Sequence, residues 1–181
     1  MTDVAPPPRS FCLIRHGETT ANADGCIAGR TDVALTERGR AQARAMADRA
    51  WPMRIALYSS PLSRARETCE LGFPGLAFTC HDGLRERDWG GFEGRPLADQ
   101  PRREDTPEAG ECWPGMQARV HQAICEICAA SGAALPVLVC HSGVIRAARL
   151  LWTGGGVGAR PANAVPILFQ RSDGQFEEKE L

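Results

Sequence analysis

Five short apolar runs punctuate the chain: Phe11 to Ile14, Ile55 to Tyr58, Leu76 to Phe78, Val137 to Cys140 and Val165 to Phe169. The first and fourth are continuously apolar rather than alternating, which predicts strands buried on both faces, as in a parallel sheet. Between the runs the apolar positions change to helical spacing. Leu35, Gly39, Ala43, Met46, Ala47 and Ala50 predict a helix behind an N-cap at Thr36. Ser60-Pro61 predicts a capping hydroxyl with proline in the first turn of a helix that Gly72 stops. Met116, Val120, Ala123, Ile124 and Ile127 predict a third helix ending at Gly132, and a fourth runs from beyond His141 to Trp152. Strands alternating with helices predict an α/β fold, three layers α/β/α around a mostly parallel central sheet. Residues 1–181 read as a single domain. The Pro-, Gly- and charge-rich stretch Arg95 to Gly115 has no clear period and reads as a short loop-rich insertion.

Composition narrows the functional classes. The formal net charge is −1 over 181 residues, with both signs mixed along the chain, so no basic stripe argues for nucleic acid or a membrane surface as partner. Affinity for an anion must come from a few arginines placed locally. The opening residues, MTDVAPPPR, lack the basic and apolar regions of a signal peptide, and the expected location is cytoplasmic. Eight cysteines invite a disulfide reading, but Cys12, Cys69 and Cys140 fall on expected core elements, where reduced thiols act as small apolar residues. Cys125 and Cys128 have CxxC spacing inside a helical pattern, without the second ligand pair of a zinc site. The spacing disfavours a metal site built from His and Cys.

The chemistry gathers where two central strands end. Each breaks at a histidine followed by a small residue, His16-Gly17 and His141-Ser142. In an open α/β sheet ligands collect at the carboxyl edge of the strands, so two such strands in one sheet bring both histidines to one place. Arg15 beside His16 offers a planar fork suited to phosphate, and Arg64 and Arg66 follow Ser60-Pro61. Glu86, set among Arg85, Arg87 and Trp89, is a candidate general acid that needs burial or an approaching phosphate to carry its proton.

RHGETTAN (Arg15 to Asn22), GRTDVALTERG (Gly29 to Gly39), SSPLSRARET (Ser59 to Thr68), LRERDWGGFEG (Leu84 to Gly94) and VCHSGVIR (Val139 to Arg146) occur in that order. Together they closely resemble the histidine phosphatase superfamily, also called phosphoglycerate mutase-like. The resemblance implies that His16 attacks phosphorus and becomes a phosphohistidine, that Arg15, Arg64 and His141 hold the phosphoryl oxygens, and that Glu86 is the proton donor. It further implies that Gly17, Asn22, Arg30 and Ser142 belong to the phosphate pocket, that Arg66 stands outside it, and that no metal or organic cofactor is needed. Ser142 departs from the family's usual glycine or alanine, and Cys112 stands where small phosphatases carry serine. The implied activity is hydrolysis of a small-molecule phosphate monoester, since only a short insertion is available to exclude water. The compact motifs look most like the branch containing α-ribazole-phosphate phosphatases. Phosphoglycerate mutase-type transfer and a catalytically silent binding member are the alternatives. Arg102 and Arg103 are either contacts to a second anionic group or solvated loop charges. Trp113 and Trp152 are either core or interface, which leaves the oligomeric state unread.

Overall fold

In the computed structural model, which describes residues 5–51 and 53–181, alternate side chains of the central strands go to opposite faces and each face is covered by helices. The elements are β1 (Phe11–Arg15), α1 (Thr20–Ala23), α2 (Glu37–Arg44), β2 (Ile55–Ser59), α3 (Ser63–Gly72), β3 (Phe78–Cys80), α4 (Trp113–Ala130), β4 (Leu135–Cys140), α5 (Ser142–Trp152), β5 (Pro166–Ser172) and β6 (Gln175–Glu180). All six strands form one sheet of order β3-β2-β4-β1-β5-β6. The first four run parallel, and β5 and β6 add an antiparallel hairpin at one side. Phe11, Leu13, Leu138 and Cys140 pack against α4 and α5, whereas Cys12, Ile14, Val137 and Val139 pack against Met46 and against Ala65 and Cys69 of α3. The α/β/α expectation is met.

Several boundaries differ from the sequence reading, each for a local reason. Thr36 caps α2, its side chain accepting from Gly39 N, but α2 ends at Arg44. Beyond it the bonds tighten to Met46 N–Ala43 O and Ala47 N–Arg44 O, leaving Met46 buried and Ala47 and Ala50 exposed. Ser60 is not a helix cap. The helix starts at Ser63, where Asp32 Oδ1 accepts from the backbone N (3.0 Å) and Oγ (2.6 Å) of Ser63, a carboxylate satisfying the helix end from outside. β3 lies two residues beyond the expected Leu76 to Phe78, in register with Leu57 to Ser59 of β2. The insertion closes earlier than Gly115, since α4 begins at Trp113 behind an N-cap at Cys112. Two elements had no sequence prediction, α1 and β6. The first is a single turn held by a reciprocal capping box between Thr19 and Asn22.

Candidate active site

The pairing of β1 with β4 places Arg15 opposite Cys140, and His16 N donates to Cys140 O at 3.1 Å. Both strands leave the sheet at that level, so His16 and His141 arrive side by side with ring centroids 5.1 Å apart. The turn after His16 needs glycine because a Cβ on Gly17 would lie 2.4 Å from the backbone oxygen of Gly39. The Gly17 N–H is used within the protein, donating to Thr68 Oγ1 at 3.0 Å. Gly17 therefore shapes the turn, with its N–H engaged inside the protein.

His16 Nδ1 lies 2.7 Å from the carbonyl oxygen of Gly17. A carbonyl only accepts, so the proton sits on Nδ1 and the lone pair on Nε2. Burial, and then the nearby charge of Arg64, hold the His16 pKa well below its usual value, which keeps the ring neutral near pH 7. The same two causes lower His141. His141 Nε2 meets Ser60 Oγ at 2.7 Å, which is the place Ser60 takes instead of capping α3.

Arg15 donates to Pro161 O at 2.9 Å, and Arg64 donates to Thr31 O (2.9 Å) and Gly29 O (2.7 Å). Arg15 Nε, Arg64 Nε and His141 Nδ1 are buried with no partner among the described residues. Buried polar atoms of this kind are costly unless a ligand engages them. Burial first, and then Arg160, bring the Arg15 pKa down to about 10, so its guanidinium stays charged at neutral pH. Glu86 is anchored through both oxygens, accepting from Arg87 N (2.8 Å) and from Gly143 N in the first turn of α5 (2.9 Å). Arg15, His16, Asn22, Arg64, Glu86 and Ser142 all line one cavity of about 290 Å³.

Arg30 is not part of that group. Its guanidinium pairs with Asp88 (3.2 Å) outside the cavity, while the flanking carbonyls of Gly29 and Thr31 clamp Arg64. The GR motif thus acts through its backbone, which Glu93 fixes by accepting from Arg30 N and Thr31 N. Arg66 is exposed, as expected.

A sequence model of the histidine phosphatase superfamily (branch 1) matches residues 11–166. The chain belongs to the histidine phosphatase superfamily. Among its relatives, the uncharacterized phosphatase PhoE of Bacillus subtilis is 36% identical over 100 residues, 52% of this chain and 50% of PhoE. A 2,3-bisphosphoglycerate-dependent phosphoglycerate mutase of Brucella ovis is 38% identical over 94 residues, 48% of this chain and 46% of the mutase. The chain spans about half the length of these curated relatives. The crystal structure of TTHB049 from Thermus thermophilus superposes with a TM-score of 0.78 at 29% identity, covering 95% of this chain and 98% of that one.

Four residues around this superfamily site were not singled out from sequence. Asn163 donates to His16 O (2.7 Å) and approaches Asn22 Oδ1 (3.4 Å), tying the segment before β5 to the turn after β1. Arg87 is buried and donates to Arg103 O, Asp105 O and Glu111 O, which pins the insertion beside Glu86. Arg146 and Arg160 line the cavity. Arg146 follows Ser142 by four residues, the spacing that puts both on one face of α5. Arg103 lines the cavity as well, whereas Arg102 pairs with Asp105 in solvent. Trp113 is buried against the cavity, and Trp152 packs edge-on to Phe11 at 5.4 Å. The eight cysteines are free thiols, and burial raises Cys12, Cys69 and Cys128 to about 12, which makes them inert packing groups. Among the described residues no three His, Cys, Asp or Glu side chains cluster as metal ligands would.

Proposed function

We propose that the chain is a phosphatase that hydrolyses a small phosphate monoester through a phosphohistidine on His16. The observation that carries this reading is the Nδ1–H to Gly17 carbonyl bond, because it leaves Nε2 unprotonated in a cavity lined by Arg15 and Arg64. In the first step Nε2 attacks phosphorus, the bond from phosphorus to the ester oxygen breaks, and Glu86 gives its proton to the departing alcohol. Arg15, Arg64 and His141 stabilise the non-bridging oxygens as charge spreads over them. In the second step water attacks the phosphohistidine while Glu86 takes its proton. Inorganic phosphate leaves and His16 is restored. Asn22 and Ser142 contribute polar groups to the same cavity. Its modest volume suits a small molecule.

The likeness to the Brucella mutase favours a second reading, return of the phosphoryl group to the substrate. The short insertion argues against it, since moving phosphate from one position to another requires water to be kept from the phosphohistidine. Among the described residues no helix is long and apolar enough to cross a membrane, and a cytoplasmic small-molecule phosphatase is the setting we infer.

The test is phosphate release from p-nitrophenyl phosphate by the wild type and by His16→Ala. The expected loss is at least ~10³-fold, and equal release by both proteins would refute the enzyme. With a phosphoglycerate substrate, isomer formation without inorganic phosphate would replace hydrolysis by transfer. A panel containing α-ribazole phosphate, sugar phosphates and phosphoglycerates, scored by kcat/KM, then ranks the alcohol.

A further inference from the structure

Glu86 stands on an irregular segment that runs from the end of β3 through the single turn Asp82–Leu84 to Trp89. A general acid works only when its oxygen lies within hydrogen-bond reach of the departing oxygen. The backbone beneath Glu86 must therefore be held as firmly as its carboxylate, which Arg87 N and Gly143 N already grip.

One face of α4 holds that backbone. Arg119, Ala123 and Glu126 follow at helical spacing and meet residues 81–85 in turn. Glu126 Oε2 lies 3.2 Å from His81 Nε2. Gly83 packs so closely that a Cβ on it would come within 2.4 Å of the Ala123 Cβ. Arg119 Nη1 donates to Gly83 O at 2.8 Å and to Arg85 O at 3.0 Å. The second of these carbonyls belongs to the peptide bond that joins Arg85 to Glu86.

The other donors of Arg119 go to Glu111, Nε to Oε1 at 2.8 Å and Nη2 to Oε2 at 2.7 Å. Such a two-bonded fork fixes the plane of the guanidinium. Glu111 in turn is tied to the far side of the same segment. Its N donates to Asp88 O at 2.9 Å, and its carbonyl accepts from Arg87 Nε at 2.9 Å. Arg119 bonds the chain before Glu86 and Glu111 bonds it after, so the pair brackets the proton donor.

The pair adds little to folding, because its side chains are 25% and 21% exposed and partly exposed ion pairs are weak. What it supplies is geometry. Arg85, Glu86, Glu111 and Arg119 also line a second cavity, of about 310 Å³. Beside that space the segment is not wedged by packing, and hydrogen bonds hold it instead.

We propose that Arg119, oriented by Glu111, is a positioning residue for Glu86, fixing the peptide from which the proton donor projects. This rests on the phosphatase reading above and adds a residue to its acid step.

The test compares glycerol phosphate, whose alkoxide needs a proton to leave, with p-nitrophenyl phosphate, whose phenolate does not. Arg119→Met is expected to lower kcat for glycerol phosphate by roughly 10- to 100-fold and for p-nitrophenyl phosphate by less than about 3-fold. Inhibition by inorganic phosphate should stay within about 2-fold of the wild type, since other residues hold the phosphoryl oxygens. Equal losses for both substrates, no loss for either, or a matching weakening of phosphate inhibition would overturn the proposal. If Arg119→Met does not fold, Glu111→Gln carries the same comparison, with the same selectivity expected and equal losses overturning it. If the wild type hydrolyses neither compound, the phosphatase reading fails for them, and amide hydrogen exchange still decides the positioning role. Faster exchange of the Arg87 and Gly143 amides in the variant, with the Gly17 amide still protected, supports it. Unchanged exchange at Arg87 and Gly143 overturns it.

Discussion

His16 donates its Nδ1–H to the carbonyl of its own neighbour and faces arginines, so its ring is held neutral, as the proposed nucleophile requires. The same burial makes a statement about stability. Its folded pKa, like that of His141, lies well below the value of about 6.5 that the unfolded chain has. Below that pH the unfolded state binds more protons, so stability is complete above it and is lost as pH falls. Each histidine contributes a slope approaching ~1.4 kcal/mol per pH unit until the folded group titrates. Urea unfolding between pH 7.5 and 5.5 should therefore show a shallower acid loss for His16→Ala than for the wild type, and parallel losses would contradict the buried neutral ring. Glu86 is tested by its leaving groups. Glu86→Gln should lower kcat by roughly 10²- to 10⁴-fold for alkyl phosphates and much less for p-nitrophenyl phosphate, whose phenolate leaves without a proton. Equal losses for both would remove Glu86 from the acid role.

At the scale of elements, the site depends on the first turn of α5 meeting the segment after β3. Gly143 N donates to Glu86, and a Cβ on Gly143 would lie 2.0 Å from Glu86 Oε1. Gly143→Ala should displace the carboxylate and reproduce much of the Glu86→Gln loss while thermal unfolding changes little; full activity in this variant would show that the contact is dispensable. β1, β4 and the histidines at their ends were legible because an unbroken apolar run of strand length, stopping at His-Gly or His-Ser, fits a strand buried on both faces that ends at a ligand-facing edge. The direction of the Arg30 side chain was not legible, because a motif identifies a residue and not the way its side chain turns. Here Asp88, far off in sequence, decides that direction. Ser60 was misread for a related reason, since the bond to His141 crosses from β2 to β4. Asn163, Arg146 and Arg160 needed the sheet order before they could be placed. β6 carried a readable signal in Asp173-Gly174, whose positive φ values of 51° and 82° are those of a two-residue hairpin turn. Its sequence, QFEEKE, buries Phe176 alone and offers little apolar pattern besides.

For the whole molecule, the net charge of −1 conceals a local excess of positive charge, with six arginines and the single carboxylate Glu86 among the described residues lining one cavity. The parallel order of β2, β4 and β1 makes this possible, because every crossover returns the chain to the same edge of the sheet. The central claim is that this edge carries a phosphohistidine on its path to inorganic phosphate. Its most direct test is rapid base quench of the wild type with a turning-over phosphate monoester, followed by mass spectrometry of the peptides. The account predicts an acid-labile, base-stable phosphoryl adduct on the peptide containing His16, forming and decaying fast enough to support turnover and missing from His16→Ala. Turnover with no such adduct, or with the phosphoryl group on another residue, would contradict it.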